Sequence, residues 1–263
     1  MPYQAIKIAY QKLSARPNQP LRLALKRIAE WDKNCDLIFT GCTRGDESFS
    51  TENLNIIALH PSLVYAETHL AQSEGKLNEI STVLRVSYGD FSALLLADIE
   101  HAGLTELLDF LQRYSTTCAT DKEYKTSIVK IPHHGAYPKN GHDLEELLAL
   151  VDAKLAVLSV GSKNKHGHVK PELFQALIDL KNDEDKRLEK FICTEVTRTC
   201  TKSVSERSTI PPRQGLANTE KCAGEITIVA EISGSWELVT ETVDHQSKVR
   251  SLTYAACDDR ADL

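Results

Sequence analysis

The sequence predicts an α/β fold, and three observations carry that prediction. Strand-like and helix-like patterns alternate from residue 91 to 196. Two β-rich runs, 81–88 and 91–97, meet at Gly89-Asp90, a pair suited to a tight hairpin turn. The second run, FSALLLA, has lost the apolar/polar alternation of a half-exposed strand, as burial on both faces requires. Alternation of this kind is the pattern of a layered α/β domain.

The elements follow in order. Residues 3–14 and 19–31 have helical apolar spacing, punctuated by Pro17 and Pro20. CDLIFTG (35–41) and LNIIALHP (54–61) read as strands before the Gly89-Asp90 hairpin. Helices are predicted over 103–114, 143–151 and 171–180, the last opened by Pro171, with strands at 126–131, 154–161 and 190–196. Residues 197–222, rich in Ser, Thr, Arg and Pro, read as a mobile surface loop. GEITIVAEI and SWELVTETV form a hairpin about Ser233-Gly234. No repeat or linker forces a boundary: 1–243 reads as a single domain with a divergent helical start over 1–50, and 244–263 as a frayed polar tail.

Composition bounds the function. A chain of 263 residues with 41% hydrophobic residues can bury a substantial core. The net charge of -6 argues against broad attachment to nucleic acid or an anionic membrane, while leaving room for a local basic groove. No apolar run approaches the roughly 18 to 20 residues of a membrane span. The first residues lack the apolar block of a secretory signal, so no membrane association and a cytoplasmic location are expected. Seven cysteines, Cys35, Cys42, Cys118, Cys193, Cys200, Cys222 and Cys257, are an odd number without a signal, which favours thiols over a disulfide framework. Cys193, Cys200 and Cys222 bracket the polar loop and could form a thiolate metal site. Their spacing is loose and no fourth ligand is evident, so buried structural thiols are the preferred reading.

The polar residues at strand ends carry the chemistry. Asp98 ends ALLLAD, His133 and His134 follow TSIVKI, and His166 and His168 follow LAVLSVG. In an α/β sheet the loops after strand C-termini collect on one edge, where ligands bind. Carboxylate with imidazole suits zinc, manganese or iron, and such an ion acidifies bound water. The same residues could instead serve as a helix cap, as turn hydrogen bonds and as solvated surface.

ADIE (97–100), IPHHGA (131–136) and SVGSKNKHGH (159–168), in order and at fitting separations, resemble the later motifs of the metallo-β-lactamase superfamily, in the branch of ComEC-type competence hydrolases and related phosphodiesterases. The likeness covers roughly residues 50–196, with LHPS (59–62), Asn78 and the Gly89-Asp90 hairpin included. It implies a partial metallo-β-lactamase-like αββα sandwich lacking part of the N-terminal layer. It also implies that Asp98 bridges two metals, that His133 or His134 gives imidazole to the centre, and that His168 binds metal or touches the scissile group. Asp98, His134 and His168 are thereby the implied catalytic residues. Asn164, Lys165 and His166 would line the substrate pocket, with His166 as a wall where the family has an aromatic. One or two zinc or manganese ions are implied. Ala97 for Gly, Ala136 for Ser, and Val169-Lys170-Pro171 in place of a proline directly after His168 depart from the pattern, as mild changes at positions expected to tolerate small side chains.

A larger departure conditions the activity. Nothing upstream of Asp98 resembles the superfamily's first metal motif, and only His60 and His69 precede it. The expectation is therefore a truncated unit: a metal-dependent hydrolase, phosphodiesterase or nuclease-like, once a partner chain or upstream segment supplies the missing motif. Its substrate would be an ester or phosphodiester, nucleic acid included, with Lys130, Lys139, Lys163, Lys165 and Lys170 as a local basic lining or an ordinary solvated rim. The alternative is a noncatalytic binding or regulatory subunit on a degenerate form of the same fold.

Overall fold

The structure, a computed structural model, describes residues 43–44, 49–72, 77–117, 125–207, 209–211, 213–242 and 245–252. The helices predicted over 3–14 and 19–31 and the strand at 35–41 lie outside them. Seven strands form one sheet in sequence order: β1 (Phe49–Ser50), β2 (Leu54–His60), β3 (Val83–Tyr88), β4 (Phe91–Leu95), β5 (Ile128–Lys130), β6 (Leu155–Leu158) and β7 (Lys190–Cys193). Pairing is antiparallel from β1 to β4 and parallel from β4 to β7. The sheet is therefore mixed, and the α/β prediction holds.

Three helices make the parallel crossovers: α2 (His101–Thr117), α3 (Gly141–Val151) and α4 (Pro171–Asn182); α1 (Leu63–Gln72) lies between β2 and β3. Crossovers between parallel strands are right-handed, so an order that advances one way across the sheet puts every crossover helix on the same face. The core shows this segregation. Leu94, Val129, Ala156 and Phe191 pack with Leu104, Leu107, Leu144, Leu147, Leu173 and Phe174 of the helices. Their sequence neighbours Ala93, Ile128, Leu155 and Ile192 point the other way. Those residues meet a two-stranded hairpin, β8 (Ile226–Ala230) and β9 (Trp236–Thr240), through Ile226, Ile228, Trp236 and Leu238. The result is a sandwich of helices, sheet and hairpin.

Two expectations are corrected. Residues 197–222 are not merely a surface loop: they include a 3-10 turn at Thr199–Thr201 and a short helix, α5 (Val204–Arg207), and they bury Thr197, Thr199, Cys200 and Arg207. The supposed frayed tail begins with helix α6 (His245–Ser251), which buries His245 and Val249. In both cases polar composition concealed a few well-spaced anchors.

Ala97 adopts a left-handed backbone, φ 47°. Lack of a side chain, more than its small size, is what favours glycine there, so the Gly-to-Ala departure is strained as well as small. A non-glycine residue in this region costs roughly 1–2 kcal/mol. Ala97→Gly should therefore raise the urea midpoint by an amount equivalent to about 1 kcal/mol at unchanged slope; a lower midpoint would mean that this turn is not left-handed.

Candidate functional site

Three loops at the C-terminal ends of β4, β5 and β6 form a common rim. In the first, Leu96 and Ile99 are fully buried and turn Asp98 and Glu100 outward on either side of Ile99. In the second, Ile131 is buried, after which His133 and His134 both take left-handed conformations, φ 44° and 55°. Gly135 follows at φ 84°, and a Cβ there would stand 2.9 Å from Val169 Cγ2, so the glycine is required for both reasons. Non-glycine left-handed residues persist only when their surroundings over-determine them, and they concentrate at functional sites. Backbone bonds fix the arrangement: His133 N–H donates to Ala97 O at 2.9 Å, and Lys170 N–H donates to Gly135 O at 2.9 Å.

The side chains meet across these loops. His134 Nδ1 lies 2.7 Å from Ser159 O. A carbonyl only accepts, so Nδ1 carries the proton and Nε2 is turned to Asp98 Oδ1, 3.6 Å away. In the neutral ring both facing atoms are acceptors, so the gap suits a proton on Nε2, a bridging water or a metal ion. His133 Nδ1 is 3.0 Å from Glu100 Oε2, and Asn78 Nδ2 donates to Glu100 Oε1 at 3.4 Å. The His133 and His168 rings lie 5.5 Å apart, and His166 stacks on His168 at 5.7 Å and 14°.

Charge sorts the histidines. The hydrogen bond to Glu100 holds His133 above the ordinary histidine range despite partial burial, and the same bond holds Glu100 below the ordinary carboxylate range. His168 is pushed down to about 4, first by burial and then by His133, Lys170, His166 and His134. Its Nδ1 is buried without a hydrogen-bond partner. Burial also lowers Lys130, while the nearby Asp98 charge works to raise it.

The residues predicted for the site are thus partly assembled. Asp98, His133, His134, His166 and His168 share the rim. Asn164 does not line a pocket through its amide: Nδ2 donates to Gly161 O and His168 O, each at 2.7 Å, and Oδ1 accepts from His168 N–H at 2.7 Å. It positions His168 by clamping its own loop. Lys165 and His166 are exposed on that loop, and Lys170 Nζ donates to His166 O at 2.8 Å. Glu100 was not singled out from sequence, although its place two residues after Asp98 puts both carboxylates on the same turn.

His60 and His69 sit elsewhere. His60 is fully buried, donates from Nδ1 to Ser81 O at 2.9 Å, and has Nε2 3.7 Å from Glu106 Oε2. His69 Nε2 is 3.3 Å from Glu79 Oε2. Neither side chain is turned to the rim.

Among the described residues, no group of three or more His, Cys, Asp and Glu side chains has its donors gathered for a metal as they stand. The rim offers a pair. Two donors about 2.1 Å from a tetrahedral ion would stand about 3.4 Å apart, close to the 3.6 Å between Asp98 and His134. The pair fits one edge of a coordination sphere, and the remaining positions are not furnished at the rim by the described residues. Comparison with family models, curated proteins and solved structures gave no match.

The two histidine shifts have opposite linkage. Raised His133 contributes stability present below the ordinary histidine pKa and lost as pH rises through its folded value. Lowered His168 works the other way: the unfolded chain takes up its proton first, so stability falls as pH drops below the ordinary value toward about 4. Imidazole NMR titration should find His168 protonating near 4 and His133 above the ordinary range, with Glu100→Gln returning His133 downward. A His168 midpoint at the ordinary value would contradict its buried placement.

Proposed function

We propose that this chain carries part of the metal centre of a metallo-β-lactamase-like hydrolase that cleaves phosphodiesters or related esters, nucleic acid among the candidates. The observation that carries the reading is the acceptor pair, Asp98 Oδ1 facing His134 Nε2 at 3.6 Å with the imidazole tautomer fixed by Ser159 O. The order of Asp98, His133, His134 and His168 along the three loops agrees with the motif resemblance, and the helix, sheet and hairpin layers are compatible with a partial αββα sandwich.

In this reading Asp98 and His134 are two ligands of a zinc or manganese ion, and further ligands come from another segment or a partner chain. Such an ion would supply a water acidic enough to act near neutral pH. The chain's own residues do the rest. Glu100 hydrogen-bonds His133 beside the rim and favours its charged form, which would suit an anionic phosphoryl group. Neutral His168, with its unpartnered Nδ1 and its loop clamped by Asn164, would contact the leaving group. Lys130, Lys163 and Lys165 add positive charge at the edge of the same loops.

The test is hydrolysis of bis-p-nitrophenyl phosphate with added manganese or zinc, alongside metal-induced thermal shifts. Metal-dependent turnover that falls at least about tenfold in Asp98→Ala and in His134→Ala is expected, since loss of one ligand-level contact costs about 10–100-fold. Turnover that is present but identical in both variants, or a metal-induced thermal shift that is absent or unchanged in them, would sink the reading and favour a noncatalytic binding subunit.

A further inference from the structure

A second cluster lies in the core and shares no residue with the rim. Cys193 ends β7, Cys200 sits in the 3-10 turn, and Cys222 precedes β8; all three are fully buried in the main core. His245, at the start of α6, is also buried, and its Nε2 stands 3.4 Å from Cys222 Sγ. Cys200 Sγ hydrogen-bonds with Cys193 and lies 3.3 Å from Thr197 Oγ1. Backbone bonds hold the segments side by side, Ala223 N–H donating to Cys193 O at 3.0 Å and Cys222 N–H to Thr194 O at 3.1 Å. The fourth group that the spacing of the cysteines left unfound is therefore His245, brought in by a helix the sequence concealed.

We propose that Cys193, Cys200, Cys222 and His245 bind one structural zinc ion as a Cys3His site. The donor set is that of closed tetrahedral zinc sites. In such a site sulfur and nitrogen stand about 3.5 Å apart, from bond lengths of about 2.3 and 2.0–2.1 Å, and the Cys222–His245 contact is 3.4 Å. As they stand the four groups do not gather as one set: Cys200 is bonded to Cys193 and Thr197, and Cys222 to His245; closure would bring these two pairs together. Zinc needs thiolates. The hydrogen bond from Cys193, with help from Thr197, holds Cys200 below the ordinary thiol range against the opposing effect of burial. The Arg207 guanidinium, stacked over Phe174, interacts electrostatically with Cys200, and its charge would balance the net single negative charge of three thiolates on zinc. Oxidation chemistry fits less well, because fully buried sulfurs are closed to solvent oxidants.

Zinc content of protein purified under reducing conditions from zinc-replete cells tests the site. One zinc per chain that survives dialysis is expected, retained in Asp98→Ala, which alters only the rim, and lost in Cys200→Ser. Should Cys200→Ser fail to fold, cobalt exchange into the wild-type protein decides: a tetrahedral cobalt spectrum with thiolate charge transfer supports the site, and its absence overturns it. Wild-type protein with no bound zinc, zinc that Cys200→Ser retains, or a native Cys193–Cys200 disulfide found by mass spectrometry would each overturn it.

Discussion

The parallel run from β4 to β7 constrains everything else in the molecule. Because the order advances without reversal, the crossover helices take one face and the strand C-termini share one edge. Neighbouring strands are about 4.8 Å apart, so loops that leave β4, β5 and β6 can exchange backbone hydrogen bonds directly, as His133 and Ala97 do. The left-handed residues Ala97, His133 and His134 oppose this arrangement by roughly 1–2 kcal/mol each. Burial of a side chain such as Leu96, Ile99 or Ile131 contributes about 1.5–3 kcal/mol, and all three are buried within these loops. The apolar anchors are of the right size to hold the strained turns, and the outward residues between them are left to chemistry.

The buried pair His60–Glu106 shows what is distinctive about the rim. It has the same construction as His134–Asp98: Nδ1 donates to a backbone carbonyl and Nε2 faces a carboxylate at nearly the same distance, 3.7 against 3.6 Å. Arg44, however, already pairs with the Glu106 carboxylate, and burial holds His60 toward its neutral form. The interior pair has its cation built in. At the rim Asp98 and His134 are half exposed, and Lys130, whose charge Asp98 favours, is itself disfavoured by burial. The exposed pair is thus left without the interior cation that its buried counterpart has, between turns of left-handed backbone.

Much of this was legible in the sequence. The run FSALLLA announced a strand buried on both faces and LAVLSVG a further strand, and the polar residues after them lie on neighbouring loops. Glu100 was not visible as a partner because the residue that needs it, His133, is 33 positions away. Asn164 looked like a pocket residue because nothing local reveals that both ends of its amide are spent on its own loop. The segment 197–222 misled for a related reason: its buried residues include polar ones with partners distant in sequence, as when Thr199 Oγ1 donates to Val169 O at 2.6 Å. Composition records the polarity and not the partner.

Those distant partners give that segment a role. Ser162 N–H donates to the Glu195 carboxylate at 2.6 Å, Leu216 N–H donates to Ser162 O at 2.7 Å, and Val160 N–H donates to Thr194 Oγ1 at 2.9 Å. A Cβ on Gly215 would come within 2.6 Å of both Ser162 O and Asn164 O, so the segment lies directly against the loop that carries His168. The His168 loop therefore has two supports, the amide clamp of Asn164 inside it and the 194–222 segment behind it. That segment is pinned at its ends by Cys193 and Cys222 and in its first turn by Cys200. Whatever fixes these three sulfurs also fixes the wall against which the third rim loop is built, which ties the buried cluster to the geometry of the exposed site.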